Sequence, residues 1–386
     1  MTVGDGSGVS SLPMADAAPE LTGGALGRGW VPVGARTGWS GRGRLGGVTT
    51  IPDPPEVDRS GLVGLSEIRA AADRIAGHVV RTPMVPLPAV LPGSEHPLWV
   101  KPENLQRIGA FKIRGALNAV SELSPEVRAN GIVASSSGNH GQAVAYAAAV
   151  HGIHATVVIP RGSMPHKIEA VRALGAEVVM VPAEERETAM LEYAERTGGT
   201  AIPPYDHRGV IAGQGTVGLE LVTDLPEVSA VLVQVGGGGL ISGVAAAVKA
   251  LAPKAIVLGV EPELAADLVE SRSRGQRVAW SAERTFRTIA DGVRTTSVGV
   301  LPWAHVQTHV DDVVTVTEGQ IIEAVRVLAR RGRLIAEPSG ALSTAAALAY
   351  ADRLPPGPIA TIVSGGNIDP GLFSSVLATD VESGVL

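Results

Sequence analysis

Short, uninterrupted apolar runs rich in valine and isoleucine alternate along this chain with segments of helical periodicity. Strands that are apolar on both faces are buried on both sides, so the alternation predicts parallel-rich sheets covered by helices. The 386 residues exceed the length of one ordinary domain. We therefore expect an α/β fold of two doubly wound domains. The predicted strands are 131–134, 155–159, 177–181, 231–235, 256–260 and 359–363, and the predicted helices include 67–75, 139–150 and 165–174.

Charge and cysteine content limit the function classes that need attention. The net charge of −6 gives no reason to expect nucleic acid or an anionic membrane as a partner. The chain has no cysteine, which excludes disulfides, cysteine catalysis and thiolate metal sites and agrees with a cytoplasmic protein. No apolar run reaches the roughly 20 residues that a transmembrane helix needs. The composition is that of a globular α/β enzyme.

Residues 1–60 differ from the rest of the chain. They are rich in glycine, serine and proline, carry scattered arginines and lack a periodic apolar pattern. Such a segment predicts a disordered arm. Order is expected to begin near Ser66, which is a candidate N-cap for the helix 67–75.

Lys112 stands in a turn of small residues, between Gly109 and Gly115 and directly after Phe111. An amine held in this way is a candidate Schiff-base former, because desolvation lowers the pKa of lysine and makes it nucleophilic. Taken alone, the pattern also fits a surface lysine whose stem packs on apolar neighbours. The glycine-rich turns that follow at domain-scale intervals favour the first interpretation.

Four consecutive glycines, 236–239, follow the predicted strand 231–235 and precede a helical segment. Glycines let backbone amides approach an anion closely, and the start of the next helix adds partial positive charge. The run lacks the Lys-Ser/Thr of a nucleoside-triphosphate loop and the spacing of a dinucleotide loop. A single compact phosphate, as on pyridoxal phosphate, fits best, and a flexible hinge is the alternative.

A second loop, 135–142, reads Ser-Ser-Ser-Gly-Asn-His-Gly-Gln between a predicted strand and its helix. Hydroxyls and free amides at a helix start suit a carboxylate. Asn139 can donate to a phenolate oxygen, and Ser137 is a candidate proton donor. An N-cap box alone accounts for one serine and the asparagine, but not for the whole set.

Two further segments have weaker signals. Ser364 follows the last predicted strand and could share a hydrogen bond with a ring nitrogen, although an ordinary turn reads the same way. The segment 261–267 offers carboxylates and a carbonyl that suit a hard cation such as Mg²⁺ or Ca²⁺. Solvated surface acids are the alternative there. The histidines show no zinc-type spacing.

Taken together, residues from about 64 to 372 resemble the fold type II pyridoxal-phosphate enzymes, which have the tryptophan synthase β-like fold. The serine/threonine dehydratase and serine racemase branch is the most similar. The order and the intervals of the motifs agree with that family. The matching segments are 103–106, 109–116, 136–142, 211–216, 236–239, 290–293, 337–338 and 364–367.

The resemblance implies a role for each candidate residue. Lys112 would bind the cofactor covalently, Phe111 would pack on its ring, and Ser364 would face the ring nitrogen. The remaining implied contacts are Asn139 with the phenolate oxygen; Gly236, Gly237, Gly238 and Gly239 with the phosphate; Ser136, Asn139 and His140 with the substrate carboxylate; Arg186 with the substrate side chain; and Glu261, the Ala265 carbonyl and Asp267 with Mg²⁺ or another divalent cation.

The resemblance also implies an architecture and a partner. It suggests a homodimer acting on a small amino-acid substrate. The large cofactor-binding domain would comprise 61–108 and 209–386, and a small mobile domain would comprise 109–208.

The implied reaction is β-elimination from a hydroxy amino acid such as L-threonine or L-serine, giving a 2-oxo acid and ammonia. The alternatives are a serine- or aspartate-type racemase or a 3-hydroxyaspartate dehydratase, with Lys112 and Ser137 on opposite faces of the substrate. A non-catalytic protein that binds pyridoxal phosphate is a further alternative. Tyr205 and Asp206 stand where racemases tend to carry an asparagine, which disfavours serine racemisation, whereas Arg186 could favour an acidic substrate.

Overall fold

The computed structural model describes residues 48–51, 61–87, 97–136 and 138–378, which form an α/β fold with three sheets. The strands are β1 (Val48–Thr50), β2 (Val85–Leu87), β3 (Leu98–Pro102), β4 (Ile132–Ser135), β5 (Ala155–Pro160), β6 (Glu177–Val181), β7 (Thr200–Ala201), β8 (Ala230–Gln234), β9 (Ile256–Pro262), β10 (Val278–Trp280), β11 (Asp312–Val316) and β12 (Ile359–Val363). The helices are α1 (Leu65–Ile75), α2 (Lys112–Glu122), α3 (Pro125–Ala129), α4 (Asn139–His151), α5 (Pro165–Ala173), α6 (Arg186–Thr197), α7 (Arg208–Asp224), α8 (Gly239–Leu251), α9 (Asp267–Arg274), α10 (Ala282–Thr285), α11 (Val300–His309), α12 (Glu318–Val327), α13 (Pro338–Ala349) and α14 (Pro370–Ala378).

The larger sheet has six strands in the order β11-β9-β8-β12-β3-β2. Every pair in it is parallel except β2 with β3. Alternate residues of β8 enter different cores: Ala230 and Leu232 pack with α12 and α13, whereas Val231 and Val233 pack with α7, α8 and α11. Helices therefore cover both faces, which is why these strands are apolar throughout.

The smaller sheet has four parallel strands in the order β6-β5-β4-β7. Helices α2, α4 and α5 cover one face, and α6 covers the other. Alanines dominate the contact of α2 with α4, where Ala116 and Ala119 share a core cluster with Ala143 and Ala147. Small side chains let these two helices approach closely. The helix that begins at Lys112 is therefore packed against the helix that begins at Asn139.

The α/β fold class is confirmed, and the six predicted strands are present within two residues of their expected bounds. The N-cap prediction is wrong: α1 begins at Leu65, and the N-cap is Gly64, whose N–H donates to the Glu67 carboxylate. Within the expected arm, the β-branched residues Val48–Thr50 pair with the edge of β10, whereas disorder of the arm stays a prediction. The rest of that arm, 1–47 and 52–60, lies outside the described residues.

The proposed domain boundaries at 61, 109 and 209 stay a prediction. Each of the two larger sheets nevertheless draws all its strands from one side of those boundaries. Within the described ranges, no helix is long and apolar enough to cross a membrane.

Candidate active site

Three candidate loops follow the carboxyl ends of parallel strands. Ser136 follows β4, the glycine run follows β8, and Ser364 follows β12. In open α/β sheets, ligands bind at this edge. A further contact adds Lys112, because the segment 108–111 pairs with 364–367. Its hydrogen bonds run from the Phe111 N–H to the Ser364 carbonyl at 2.9 Å and from the Gly366 N–H to the Gly109 carbonyl at 2.9 Å.

Lys112 is the first residue of α2, and its amine points into the protein. Its Nζ donates to the carbonyl oxygen of Pro204 at 2.7 Å and lies 5.3 Å from the centre of the Phe111 ring. Desolvation lowers the pKa of Lys112 to about 8. A lysine of this kind is partly neutral near pH 8, unlike a surface lysine that extends its amine into water. The structure therefore supports the nucleophile interpretation of this residue.

The glycine run is closely packed rather than free to hinge. A Cβ on Gly237 would lie 2.2 Å from the Tyr205 ring, and one on Gly238 would lie 2.7 Å from Pro302. Gly238 also has a φ of +89°, which side chains rarely adopt. The loop leads into α8, whose first amides have no partner within the helix. Its backbone is therefore fixed with free donors at its end, as an anion site requires.

The loop before α4 brings Ser136 and His140 to the same edge. The Ser136 hydroxyl accepts from the Gly138 N–H at 3.1 Å. His140 is buried, and its Nε2 lies 2.8 Å from the Ile202 carbonyl, so this nitrogen carries the proton. Burial and the nearby Lys112 charge lower the pKa of His140 to about 3. The imidazole is thus neutral at ordinary pH. Ser137 lies outside the described residues.

Asn139 makes two side-chain hydrogen bonds to distant parts of the chain. Its Nδ2 donates to Glu337 at 2.7 Å, and its Oδ1 accepts from Asn367 Nδ2 at 2.8 Å. Burial and the charge of Asp291 raise the pKa of Glu337 to about 7. Neither Glu337 nor Asn367 has a role predicted from the sequence. A carboxylate inside the apolar run Leu-Ile-Ala-Glu-Pro was the signal that could have indicated Glu337.

Tyr205 and its neighbours connect Lys112 to the glycine run. The Pro204 carbonyl holds the lysine amine, while the Tyr205 ring packs against Gly237. Burial raises the pKa of Tyr205 to about 12. Asp206 accepts hydrogen bonds from the Val300 and Leu301 amides and so caps α11. That use of its carboxylate explains why an acidic residue follows Tyr205.

The acidic pair behind the glycine run is buried rather than solvated. Glu261 is 0% exposed and accepts from the Leu268 and Val269 amides. Asp267 is 1% exposed and accepts from the Val298 amide at 2.9 Å. Burial raises the pKa of Glu261 and that of Asp267, which reaches about 7. The surface-acid alternative is therefore wrong.

Ala265 and Arg186 have fewer contacts that relate them to the site than the other predicted residues have. Ala265 is buried beside the acidic pair, but within the described ranges no group of three acidic or histidine side chains could hold a metal. Arg186 begins α6 and forms a 3.7 Å ion pair with Glu187. Its charge opposes the rise in the pKa of Tyr205. Among the described residues, no hydrogen bond joins Arg186 to Lys112 or Asn139.

Comparisons with known proteins identify one family for this chain. The sequence profile of the family described as "Pyridoxal-phosphate dependent enzyme" matches residues 75–365. The chain is 39% identical over 314 residues to a serine racemase of Schizosaccharomyces pombe, covering 81% of this chain and 96% of that protein. It is 37% identical over 314 residues to an L-threo-3-hydroxyaspartate ammonia-lyase of Saccharomyces cerevisiae, covering 81% and 95%.

A solved structure of a T.th. threonine deaminase superposes with a TM-score of 0.75. It is 44% identical, and the match covers 79% of this chain and 99% of that one. The inward-facing lysine, the packed glycine run and the helix-start loop thus occur in a chain whose sequence and fold both match one family. The chain belongs to the pyridoxal-phosphate dependent enzymes of fold type II, in the group that contains threonine ammonia-lyases and serine racemases.

Proposed function

We propose that this enzyme catalyses β-elimination from a hydroxy amino acid of the L-threonine or L-serine type, giving a 2-oxo acid and ammonia. The observation that carries the proposal is the inward-facing Lys112 amine, with its pKa lowered to about 8 and its hydrogen bond to the Pro204 carbonyl. Such an amine can hold and release a proton at neutral pH.

The residues present fit pyridoxal phosphate. Gly236–Gly239 would hold the phosphate, Phe111 would pack on the ring, and Asn139 would donate to the phenolate oxygen. Ser364 would face the ring nitrogen, and Lys112 would bind the aldehyde carbon. When bound, the cofactor supplies an electron sink for the bond that breaks at the substrate Cα.

The protein residues then have defined tasks. Lys112, once free, takes the Cα proton, since an amine with a pKa of about 8 is a competent base. The amides at the start of α4, with Ser136, would bind the substrate carboxylate. His140 contributes there as a neutral group. Elimination breaks the Cα–H and Cβ–O bonds and releases water, and hydrolysis of the enamine product gives the 2-oxo acid and ammonia.

Ser364 favours elimination over reactions that need a long-lived carbanion. A hydroxyl cannot stabilise a protonated ring nitrogen as a carboxylate does, so the ring of a bound cofactor would stay largely neutral and would store less charge. Ser364 is 4% exposed, which keeps that environment free of bulk water. Prompt loss of the β-hydroxyl is the reaction that suits such a site.

The second candidate function is racemisation, or elimination from a 3-hydroxyaspartate. The relatives named a serine racemase and an L-threo-3-hydroxyaspartate ammonia-lyase favour it. Racemisation needs a second acid/base on the face opposite Lys112, and Ser137 is the residue we propose for it. Arg186 would favour a second carboxylate on the substrate. A non-catalytic pyridoxal-phosphate-binding protein is the third candidate.

A substrate panel tests these candidates. L- and D-threonine, L- and D-serine and the 3-hydroxyaspartates are each assayed for 2-oxo acid, ammonia and enantiomer conversion, with Mg²⁺ and with a chelator. We expect 2-oxo acid and ammonia from the L-hydroxy amino acids. Enantiomer conversion without ammonia would overturn the proposal and favour the racemase. The Ser137→Ala variant is expected to lose racemisation and to keep elimination from an L-substrate.

Three finer proposals accompany the reaction. A divalent cation would bind at Glu261, the Ala265 carbonyl and Asp267, since two buried carboxylates lie there, and burial and the charge of Asp267 raise the pKa of Glu261. A homodimer is supported by the exposed side chains of Leu105 and Ile335, at 49% and 52%. The absence of cysteine suits a cytoplasmic enzyme. Sedimentation of the full chain tests the dimer.

A further inference from the structure

The side-chain amide of Asn139 is held at both ends by residues from another part of the fold. Asn139 is the first residue of α4, beside the four-stranded sheet. Glu337 precedes α13, and Asn367 follows β12 of the six-stranded sheet. The two contacts, at 2.7 Å and 2.8 Å, therefore join the two sheet-bearing parts of the molecule directly at the site.

These contacts fix which way the amide points. The Nδ2 of asparagine has two hydrogens, and its Oδ1 is an acceptor only. Glu337 accepts one hydrogen of Nδ2, while Asn367 donates to Oδ1. A flipped amide would set Oδ1 against the Glu337 carboxylate and Nδ2 against Asn367 Nδ2. With Glu337 ionised, both of those contacts are repulsive, so one N–H of Asn139 stays available to a ligand.

Both partners are themselves held in place. Asn367 Nδ2 also donates to the Ile108 carbonyl at 2.9 Å. Glu337 is 6% exposed, its N–H donates to the Gly365 carbonyl at 3.1 Å, and its carboxylate receives a backbone hydrogen bond from Asn367. A Cβ on Gly365 would lie 2.4 Å from Glu337 Oε1, so the backbone there closes over the carboxylate. The pair forms a rigid support for one amide.

Burial of the Glu337 carboxylate costs desolvation free energy, and filling space in the protein does not require a carboxylate. Removing a carboxyl from water is unfavourable unless hydrogen bonds compensate for the loss. At position 337, an apolar residue of similar size would fill the same space at a lower desolvation cost. The hydrogen bond to Asn139 is what the carboxylate supplies and a leucine does not.

We propose that Glu337 is a positioning residue which, together with Asn367, orients the Asn139 amide so that one N–H faces the oxygen of a bound phenolic cofactor. The inference rests on the proposed function, because the ligand of Asn139 is taken to be pyridoxal phosphate. It assigns Glu337 no contact with the reacting atoms.

The test measures cofactor affinity and stability in the same variants of the full chain. The apoprotein is titrated with pyridoxal phosphate, and the visible absorbance of the bound cofactor is recorded. Glu337→Leu is expected to raise the Kd about tenfold, which corresponds to about 1.4 kcal/mol. Its thermal stability should equal or exceed that of the wild type. Glu337→Gln keeps an acceptor for Asn139 and should stay within about threefold of the wild-type Kd.

Two controls separate positioning from a general structural effect. Glu323→Leu removes a partly exposed carboxylate of α12 that bonds Arg326, and it should bind cofactor as the wild type does. In an Asn139→Ala background, Glu337→Leu should cause no further loss, because the residue that it positions is gone. An equal Kd for Glu337→Leu and wild type, or an undiminished loss in the Asn139→Ala background, overturns the inference alone. No uptake of cofactor by the wild type overturns the proposed function and the inference with it.

Discussion

The amine of Lys112 donates a 2.7 Å hydrogen bond to the carbonyl oxygen of Pro204, 92 residues further along the chain. The contact holds the amine inside the protein, where desolvation lowers the pKa of Lys112 to about 8. Only the neutral amine attacks an aldehyde. The pH at which cofactor is taken up therefore reports on this environment.

The uptake rate of pyridoxal phosphate by the apoprotein should follow the neutral fraction of Lys112. Below pH 8 the rate should rise about tenfold per pH unit, and above about pH 8 it should level off, because deprotonation is then complete. Stopped-flow absorbance from pH 6 to pH 10 measures the profile. A rate that keeps rising to pH 10 would indicate an ordinary lysine. Borohydride should trap the cofactor on Lys112 and leave the exposed Lys254 unlabelled.

Gly237→Ala should weaken cofactor binding by more than about tenfold, or about 1.4 kcal/mol. The added Cβ would lie 2.2 Å from the Tyr205 ring, so the loop must shift. Its backbone amides would then no longer point at the phosphate. Titration of the apoprotein with pyridoxal phosphate measures the change.

Two further variants test the steric cause. Gly319→Ala adds the same methyl group at a position of α12 where the nearest atom is 3.9 Å away, and it should bind as the wild type does. Tyr205→Ala should restore part of the affinity when combined with Gly237→Ala, because it removes the ring that the Cβ meets. If the double variant is as weak as Gly237→Ala, the ring is not the cause.

Sequence patterns identified the features that depend on neighbours in the chain. The strand, glycine run and helix around Gly236 are consecutive, and β12 is one apolar run that ends at Ser364, so local periodicity was enough. Lys112 and Asn139 also stand in short local motifs, and the resemblance to a family then assigned each of them a role. Antiparallel β2 escaped notice because it has three residues and contains Pro86, which suits only an edge strand.

Contacts between distant residues were not predictable in the same way. Asn139 and Glu337 are 198 residues apart, and no periodicity relates them. The Pro204 group that holds Lys112 is a backbone carbonyl, which every residue has. Buried Glu261 and Asp267 resemble surface acids in sequence, because only the tertiary structure encloses them.

Arg114→Met should lower the free energy of unfolding by about 3–5 kcal/mol. Arg114 is 0% exposed, and its guanidinium bonds Glu103 and Glu220, each through two nitrogens. Burial alone would raise the pKa of Glu103, but the Arg114 charge and hydrogen bonds lower it overall. Loss of the arginine leaves Glu103 buried without that compensation. Urea unfolding measures the effect.

The matched control for Arg114 is a solvent-exposed ion pair. Arg172 pairs with Glu169 at 3.0 Å, and the two side chains are 52% and 69% exposed. Arg172→Met should change the unfolding free energy by less than about 1 kcal/mol. A similar loss of unfolding free energy in both variants would mean that the buried ion cluster around Arg114 stabilises α2 and Lys112 no more than an exposed ion pair would.

Mg²⁺ should raise the Tm of the protein, and Asp267→Asn should abolish the rise. A cation present at about 100 times its Kd stabilises the folded state by about 2.7 kcal/mol. Asp267 and Glu261 are both buried, and the exposed Asp352 supplies the control variant Asp352→Asn, which should respond to Mg²⁺ as the wild type does. Differential scanning calorimetry with Mg²⁺ and with a chelator measures the shift. An equal rise in Asp267→Asn and wild type would place the cation elsewhere.

The Val298 amide donates to Asp267, and the Gly299 amide donates to the Gly237 carbonyl. A cation bound by Asp267 and Glu261 would therefore also stiffen the phosphate loop. Cofactor affinity should therefore rise with Mg²⁺ in the wild type and not in Asp267→Asn.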